Sequence, residues 1–150
     1  MAELNKAIIG AVDELLTMFG LEYEILEETI EEKLKSSEEV NVILGLAGEI
    51  HGNIVLGATK NTVIKIVSGM MGGMEITEVD EIVISGISEF TNMLGGTTIT
   101  KLQTENFVDI TPPTVITSEG NTIIINQLKA HNLIFSIGGE KLIISYCIKE

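Results

Sequence analysis

Two segments, Glu14-Leu15-Leu16-Thr17-Met18-Phe19-Gly20 and Glu89-Phe90-Thr91-Asn92-Met93-Leu94-Gly95, share one pattern at an offset of 75 residues. Each places a glutamate three residues before a small polar side chain, then two apolar residues and a glycine. A second pair follows in the same order, 42–49 (VILGLAGE) and 133–140 (LIFSIGGE), at an offset of 91. Two ordered matches predict a duplicated unit. Each half reads as a helix followed by strands that close in a Gly-Glu hairpin. Two copies are too few for a solenoid, so the halves are expected to fold around a pseudo-twofold axis. The expected fold class is α/β in the α+β sense, with a mainly antiparallel sheet packed against two long helices.

The rest of the chain fits that plan. Over residues 4–19, Leu4, Ala7, Ile8, Ala11, Leu15 and Phe19 recur at helical steps, and Gly20 sits where a helix-ending glycine belongs. Residues 21–39 are acidic and predict a solvated strand or short helix. Residues 40–47 and 53–58 read as strands joined by a turn, and 60–72 as a second helix with Val63, Ile64, Ile66, Val67 and Met70 inward. Thr77-Glu78-Val79-Asp80 is a variant capping box, predicting a helix from Thr77 to about Leu102, loosened at Gly95-Gly96. The last third predicts strands at 106–110, 114–117, 122–127, 132–138 and 141–148. Gly138-Gly139 is the strongest hairpin signal, and Pro112-Pro113 belongs at a strand edge or bend.

The 150 residues predict a single domain, 1–150, large enough to bury roughly two-thirds of its unfolded surface. At 45% hydrophobic residues the chain is not disordered. Charge is lopsided: 9 basic residues, all lysine, against 22 acidic ones, for a net charge of −13. Without arginine or a basic footprint, sequence-specific nucleic-acid binding is excluded, and an anionic membrane surface would repel the chain. A single cysteine, Cys147, rules out an internal disulfide framework. The first residues show no signal-peptide pattern, and no stretch approaches a membrane span. The expected location is the cytoplasm.

Familiar catalytic strings are missing. There is no P-loop and no G-x-G-x-x-G. The glycine-rich stretch 69–74 (GMMGGM) lacks a phosphate-binding lysine and reads as a helix end. His51 and His131 stand alone as turn or strand-end residues, with no zinc-type spacing around either, so no metal site is expected. Cys147, in a strand with no flanking cation, reads as a buried structural thiol.

The long helix is the informative element. At about 100° per residue, Val79, Ile82, Val83, Gly86, Ile87, Phe90, Met93 and Leu94 form the expected core stripe. Ser85, Glu89, Asn92 and Gly96 cluster on the other side within about 60° of one another. A carboxylate and a carboxamide one turn apart thus face solvent between two small residues. Asparagine and glycine are poor helix formers, so a purely structural exposed face would use Lys, Glu or Ala instead. Small neighbours also let another protein's surface approach closely.

The string Ser85-x-x-x-Glu89-x-x-Asn92, followed by Pro112-Pro113, resembles the signature of the CheC, CheX and FliY family of chemotaxis phosphatases, and its surroundings (EFTNMLGG, then DITPPTVIT) are most similar to the CheX branch. The resemblance spans essentially the whole chain, including the duplicated layout. One departure is spacing: 20 residues separate Asn92 from Pro113, two short of the family pattern. A second concerns the first half. CheC-type members carry Glu-x-x-Asn twice, whereas here the first copy is Glu14-x-x-Thr17, which lacks the carboxamide and implies a dead half-site, as in CheX.

The resemblance implies a phosphatase acting on the phospho-aspartate of a CheY-like response regulator. Glu89 and Asn92 would be catalytic, and Ser85 and Gly96 binding residues at the rim. Asn92 would hold water in line with the phosphorus, much as the water-positioning glutamine of GTPases does. Glu89 would pair with the receiver's active-site lysine. The protein would need no cofactor of its own, the receiver bringing Mg²⁺. A homodimer is implied, and the apolar strands 132–138 and 141–148 are the expected pairing edge. The alternative is a non-catalytic adaptor of the same family, binding a signalling or flagellar-switch protein. A small-molecule sensor is the weakest reading, since no pocket with converging polar groups is evident.

Overall fold

The computed structural model describes residues 2–102 and 107–149. Its elements run α1 (Ala2–Met18), β1 (Glu24–Glu31), β2 (Leu34–Ser36), β3 (Val40–Gly48), β4 (His51–Ala58), α2 (Lys60–Met70), α3 (Glu81–Leu102), β5 (Val108–Ile110), β6 (Thr114–Thr117), β7 (Ile123–Asn126), β8 (Ala130–Ile137) and β9 (Glu140–Lys149). Residue 106, the start of one expected strand, lies outside the described residues.

α1 forms as its spacing predicts, burying Leu4, Ile8, Ala11, Leu15 and neighbours. It stops at Gly20, whose φ is +74°. Leu21 N–H donates to the Leu16 carbonyl at 2.8 Å and Gly20 N–H to that of Thr17 at 3.1 Å. This is a Schellman end, which only a residue comfortable in the left-handed region closes cheaply. α2 is capped by Thr59, whose hydroxyl accepts from Thr62 N–H at 3.1 Å.

The main sheet has the order β1-β8-β9-β4-β3-β5, with β6 also on β3. Every pairing in it is antiparallel. The two halves are visible in this order. Hairpins β3–β4 and β8–β9 meet at the centre, where β4 pairs with β9. Each half's outer strand then crosses to the other half's hairpin: β1 pairs with β8, while β5 and β6 pair with β3. The small strands β2 and β7 pair with each other in a second sheet. α2 follows β4, and among the described residues no helix follows the β8–β9 hairpin. Gly138 and Gly139, at φ +57° and +84°, close the β8–β9 hairpin between Ile137 and Glu140. Two left-handed residues in a two-residue loop make a type I′ turn, as expected from Gly-Gly.

One face of the sheet is covered by the helices, and the main core lies between them. The other face carries a smaller cluster, Leu34, Val55, Ala130 and Cys147, beneath the β2–β7 pair.

Four expectations are corrected. The long helix starts at Glu81, not Thr77: the Asp80 carboxylate accepts from Val83 N–H at 3.0 Å, so Asp80 is the N-cap. Its core stripe is rotated. Ile82 is 63% exposed, whereas Thr91, Gly95 and Thr98 are buried. The rotation follows from close contacts that only glycine allows. A Cβ on Gly95 would stand 2.6 Å from Leu44 Cδ1, and one on Gly86 2.7 Å from Val67 Cγ1. α3 therefore runs unbroken through Gly95-Gly96. Finally, β8 and β9 are interior strands, so neither offers the free edge expected for a homodimer; the edges are β1 and β5–β6.

Cys147 is fully buried, and burial pushes its thiol pKa above the usual value. The thiolate is the reactive form. Native protein at pH 8 is expected to resist iodoacetamide for hours and to take one adduct within minutes in denaturant, read by intact mass.

Candidate functional site

A groove runs between α3 and the segment joining β5 to β6. Ser85, Ser88, Glu89 and Asn92 line its helical side, and Thr111, Pro112 and Pro113 its other wall. Glu89 and Ser85 are exposed and Asn92 is half-buried. Among the described residues, neither Glu89 nor Asn92 has a side-chain partner within the protein. Among the described residues that line the groove there is no lysine, and Glu89 is the one charged group.

The wall is fixed from behind by β3. Thr111 N–H donates to the Gly45 carbonyl at 2.9 Å. Gly45 N–H donates in return to Thr111 Oγ1 at 2.8 Å. A Cβ on Gly45 would stand only 2.8 Å from that oxygen, so the clamp requires glycine. The prolines that follow have no N–H to add to the ladder, and pairing resumes at Thr114 opposite Ile43. The outer strand is thus split into β5 and β6, and the proline-bearing segment between them faces Glu89 and Asn92.

Of the expected site residues, Ser85, Glu89 and Asn92 are brought together. Gly96, one turn further along, is outside the groove lining; open space lies where its Cβ would be. Ser88 and Thr111 were not singled out from the sequence. Ser88 falls on the same wheel face, one turn before Asn92, and could have been found there. Thr111 owes its place to Gly45, which no local pattern links to it.

The other candidates sit elsewhere. Glu14 and Thr17 are exposed on α1. His131 stacks on Tyr146 at 4.9 Å between ring centroids, and burial, aided by Lys129, lowers its pKa below the usual histidine value. Tyr146 is fully buried and pushed up to about 12, mainly by burial. Its hydroxyl donates to Asn5 Oδ1. His51 opens β4 at the surface. Among the described residues no three His, Cys, Asp or Glu side chains converge as a metal site would need.

The groove therefore offers a carboxylate that accepts and a carboxamide that both donates and accepts. Among the described residues neither Ser85 nor Ser88 is hydrogen-bonded to a base that would activate it as a nucleophile. This is equipment for docking and orienting rather than for covalent catalysis.

A two-layer fold of interlocked helix-plus-strand halves carries a Glu-x-x-Asn pair on one helix against a proline wall, which defines a docking-and-orienting scaffold. The family model described as "Chemotaxis phosphatase CheX" matches residues 40–136. The chain is 34% identical over 117 residues to the CheY-P phosphatase CheX of Thermotoga maritima, covering 77% of this chain and 76% of that protein. Its fold is similar to a chemotaxis protein CheX from Desulfovibrio desulfuricans, with a TM-score of 0.85, 22% identity and coverage of 98% and 99% of the two chains. It is also similar to CheX in a CheX-CheY-BeF3-Mg complex from Borrelia burgdorferi, with a TM-score of 0.74, 26% identity and coverage of 97% of each chain. The chain belongs to the CheX family of chemotaxis phosphatases.

The clamp behind the groove is testable without any partner. Gly45→Ala forces the wall away from β3, and overpacking of this kind costs about 1–3 kcal/mol. Urea unfolding is expected to show that loss. Amide shifts in two-dimensional NMR are expected to move at Thr111 and across Ser88 to Asn92, while those of β8 stay in place.

Proposed function

We propose that this protein hydrolyses the phospho-aspartate of a CheY-like response regulator, docking the receiver in the groove of α3. The observation that carries the reading is the pairing of unpartnered Glu89 and Asn92, one turn apart, opposite the Pro112-Pro113 wall. A CheX relative has been crystallised with CheY bearing BeF3 and Mg, which supports a receiver as the partner.

The chemistry suits this equipment. An acyl phosphate is already activated, so what the phosphatase adds is position. Asn92 holds a water in line with the phosphorus through its amide. The water oxygen forms the new P–O bond as the bond to the aspartate oxygen breaks. Aspartate leaves as its carboxylate, inorganic phosphate is released, and the proton lost by water passes to phosphate or solvent. Glu89 pairs with a lysine of the receiver and holds the helix in register, with Ser85 at the rim. The metal belongs to the receiver, and this protein contributes no cofactor. The protein acts in the cytoplasm, where such receivers work.

We place the homodimer in the same reading, with its edge moved to β1. Ile25, Leu26 and Ile30 are 49%, 52% and 59% exposed there. Association through β1 leaves the groove beside β5–β6 open in both copies. Glu24, Glu27, Glu28 and Glu31 on that strand oppose it, so raising salt should strengthen it. Sedimentation equilibrium at micromolar concentration is expected to give a mass of two chains; a mass of one, 16.2 kDa, rules the dimer out.

Timed loss of phosphate from phosphorylated receivers tests the activity. Asn92→Ala is expected to lower turnover by roughly a hundredfold, the effect of losing one transition-state contact of about 3 kcal/mol. Its thermal midpoint should not move. Near-wild-type turnover in that variant returns the protein to the adaptor reading. Glu89→Ala is expected to weaken docking and turnover together, Glu89→Gln to recover little, and added salt to slow the reaction at subsaturating enzyme.

A further inference from the structure

The two halves carry the same helical motif, yet α1 and α3 end differently. α1 ends at Met18, closed by Gly20, while α3 runs on through the matching Gly95 to Leu102. The added turns lie along α1, because the two helices pack together with Phe19 against Phe90 at 6.3 Å between ring centroids. They carry Lys101 onto the face of α1 that corresponds to the Glu89–Asn92 face of α3. Lys101 Cδ is 3.2 Å from where a Gly10 Cβ would stand, and Lys101 Nζ is 3.7 Å from Glu14 Oε1. By the offset of 75 residues, Gly10 is the counterpart of Ser85 and Glu14 that of Glu89. The first half-site is therefore occupied from within: an aliphatic stem crosses its rim, and an ammonium sits at its carboxylate. Glu89 has no such intramolecular partner among the described residues.

We propose that Lys101 closes the first half-site against a second receiver, an inference that rests on the receiver-docking reading of Glu89. Lys101 does to Glu14 what the receiver's lysine does to Glu89. The ion pair itself is exposed and of little worth to stability. Its effect is on recognition: an incoming receiver meets a filled rim and a like charge where its own lysine must go, the kind of repulsive element that sets specificity. Each chain then holds a single receiver, on α3.

Binding stoichiometry tests this. Beryllofluoride-activated receiver, of the type that the wild-type protein dephosphorylates, is titrated calorimetrically up to about a hundred times the first dissociation constant. Wild type is expected to bind one receiver per chain. Lys101→Ala is expected to bind a second, more weakly, since Thr17 lacks the carboxamide. Glu14→Ala added to Lys101→Ala should return the count to one. A count of one for Lys101→Ala, or a second site that survives loss of Glu14, overturns the inference. Circular dichroism confirms that these surface variants fold. Failure of the underlying reading looks different, since there Asn92→Ala keeps its turnover or wild type binds no receiver at all.

Discussion

β1 lies on β8, and β5 and β6 lie on β3, so each half of the chain lends its outermost strand to the other half's hairpin. Without that exchange, each three-stranded unit would leave an apolar hairpin edge unpaired. Everything else is placed by it. The centre of the sheet is the β4–β9 junction, the helices share one face, and β2 and β7 meet on the other. The exchange also means that the pairings join residues far apart in sequence, so loop closure precedes most of the stabilising contacts and folding belongs to the slower, non-local class. A chain built this way has little local freedom to lose one strand and keep the rest.

On this symmetric frame the site is made by departures from symmetry. In the first half the outer strand runs unbroken as β1; in the second, two prolines split it and turn its middle into a wall. In the first half the glycine after the motif lies in open surroundings at φ +74° and ends the helix. In the second, Gly95 is buried against Leu44, so the helix continues. A helical glycine costs about 1 kcal/mol against alanine, and close approach to β3 offsets it. The same residue type at the same repeat position thus has opposite consequences, decided by what packs against it.

The repeat was the most legible part of the fold. Segments 42–49 and 133–140 both became hairpin strands, and Gly138-Gly139 closed the turn its chemistry demanded. The site helix was legible too, because Glu89 and Asn92 need only a 3.6-residue period to share a face. What local patterns could not carry was the pairing across halves. Strands 132–138 and 141–148 looked like unprotected edges because their protection comes from β1 and β4, more than eighty residues away in sequence. Likewise the rotated core stripe of α3 depends on how closely Leu44 and Val67 approach, which periodicity alone does not report. Ile82 looked like core for that reason, and Gly95 like a weak point.

The electrostatics of the groove bear on its selectivity under the proposed reading. The chain carries −13 overall and brings a carboxylate, with no lysine, to the place where a phosphoryl group must sit. Its long-range field therefore disfavours a bare anionic phosphate ester or acyl phosphate. Under that reading a receiver overcomes this by bringing its own metal and a lysine that would pair with Glu89. The missing cation is then a filter: the groove supplies the water-holding amide and the anion, and only a substrate that carries the positive half of the site completes it.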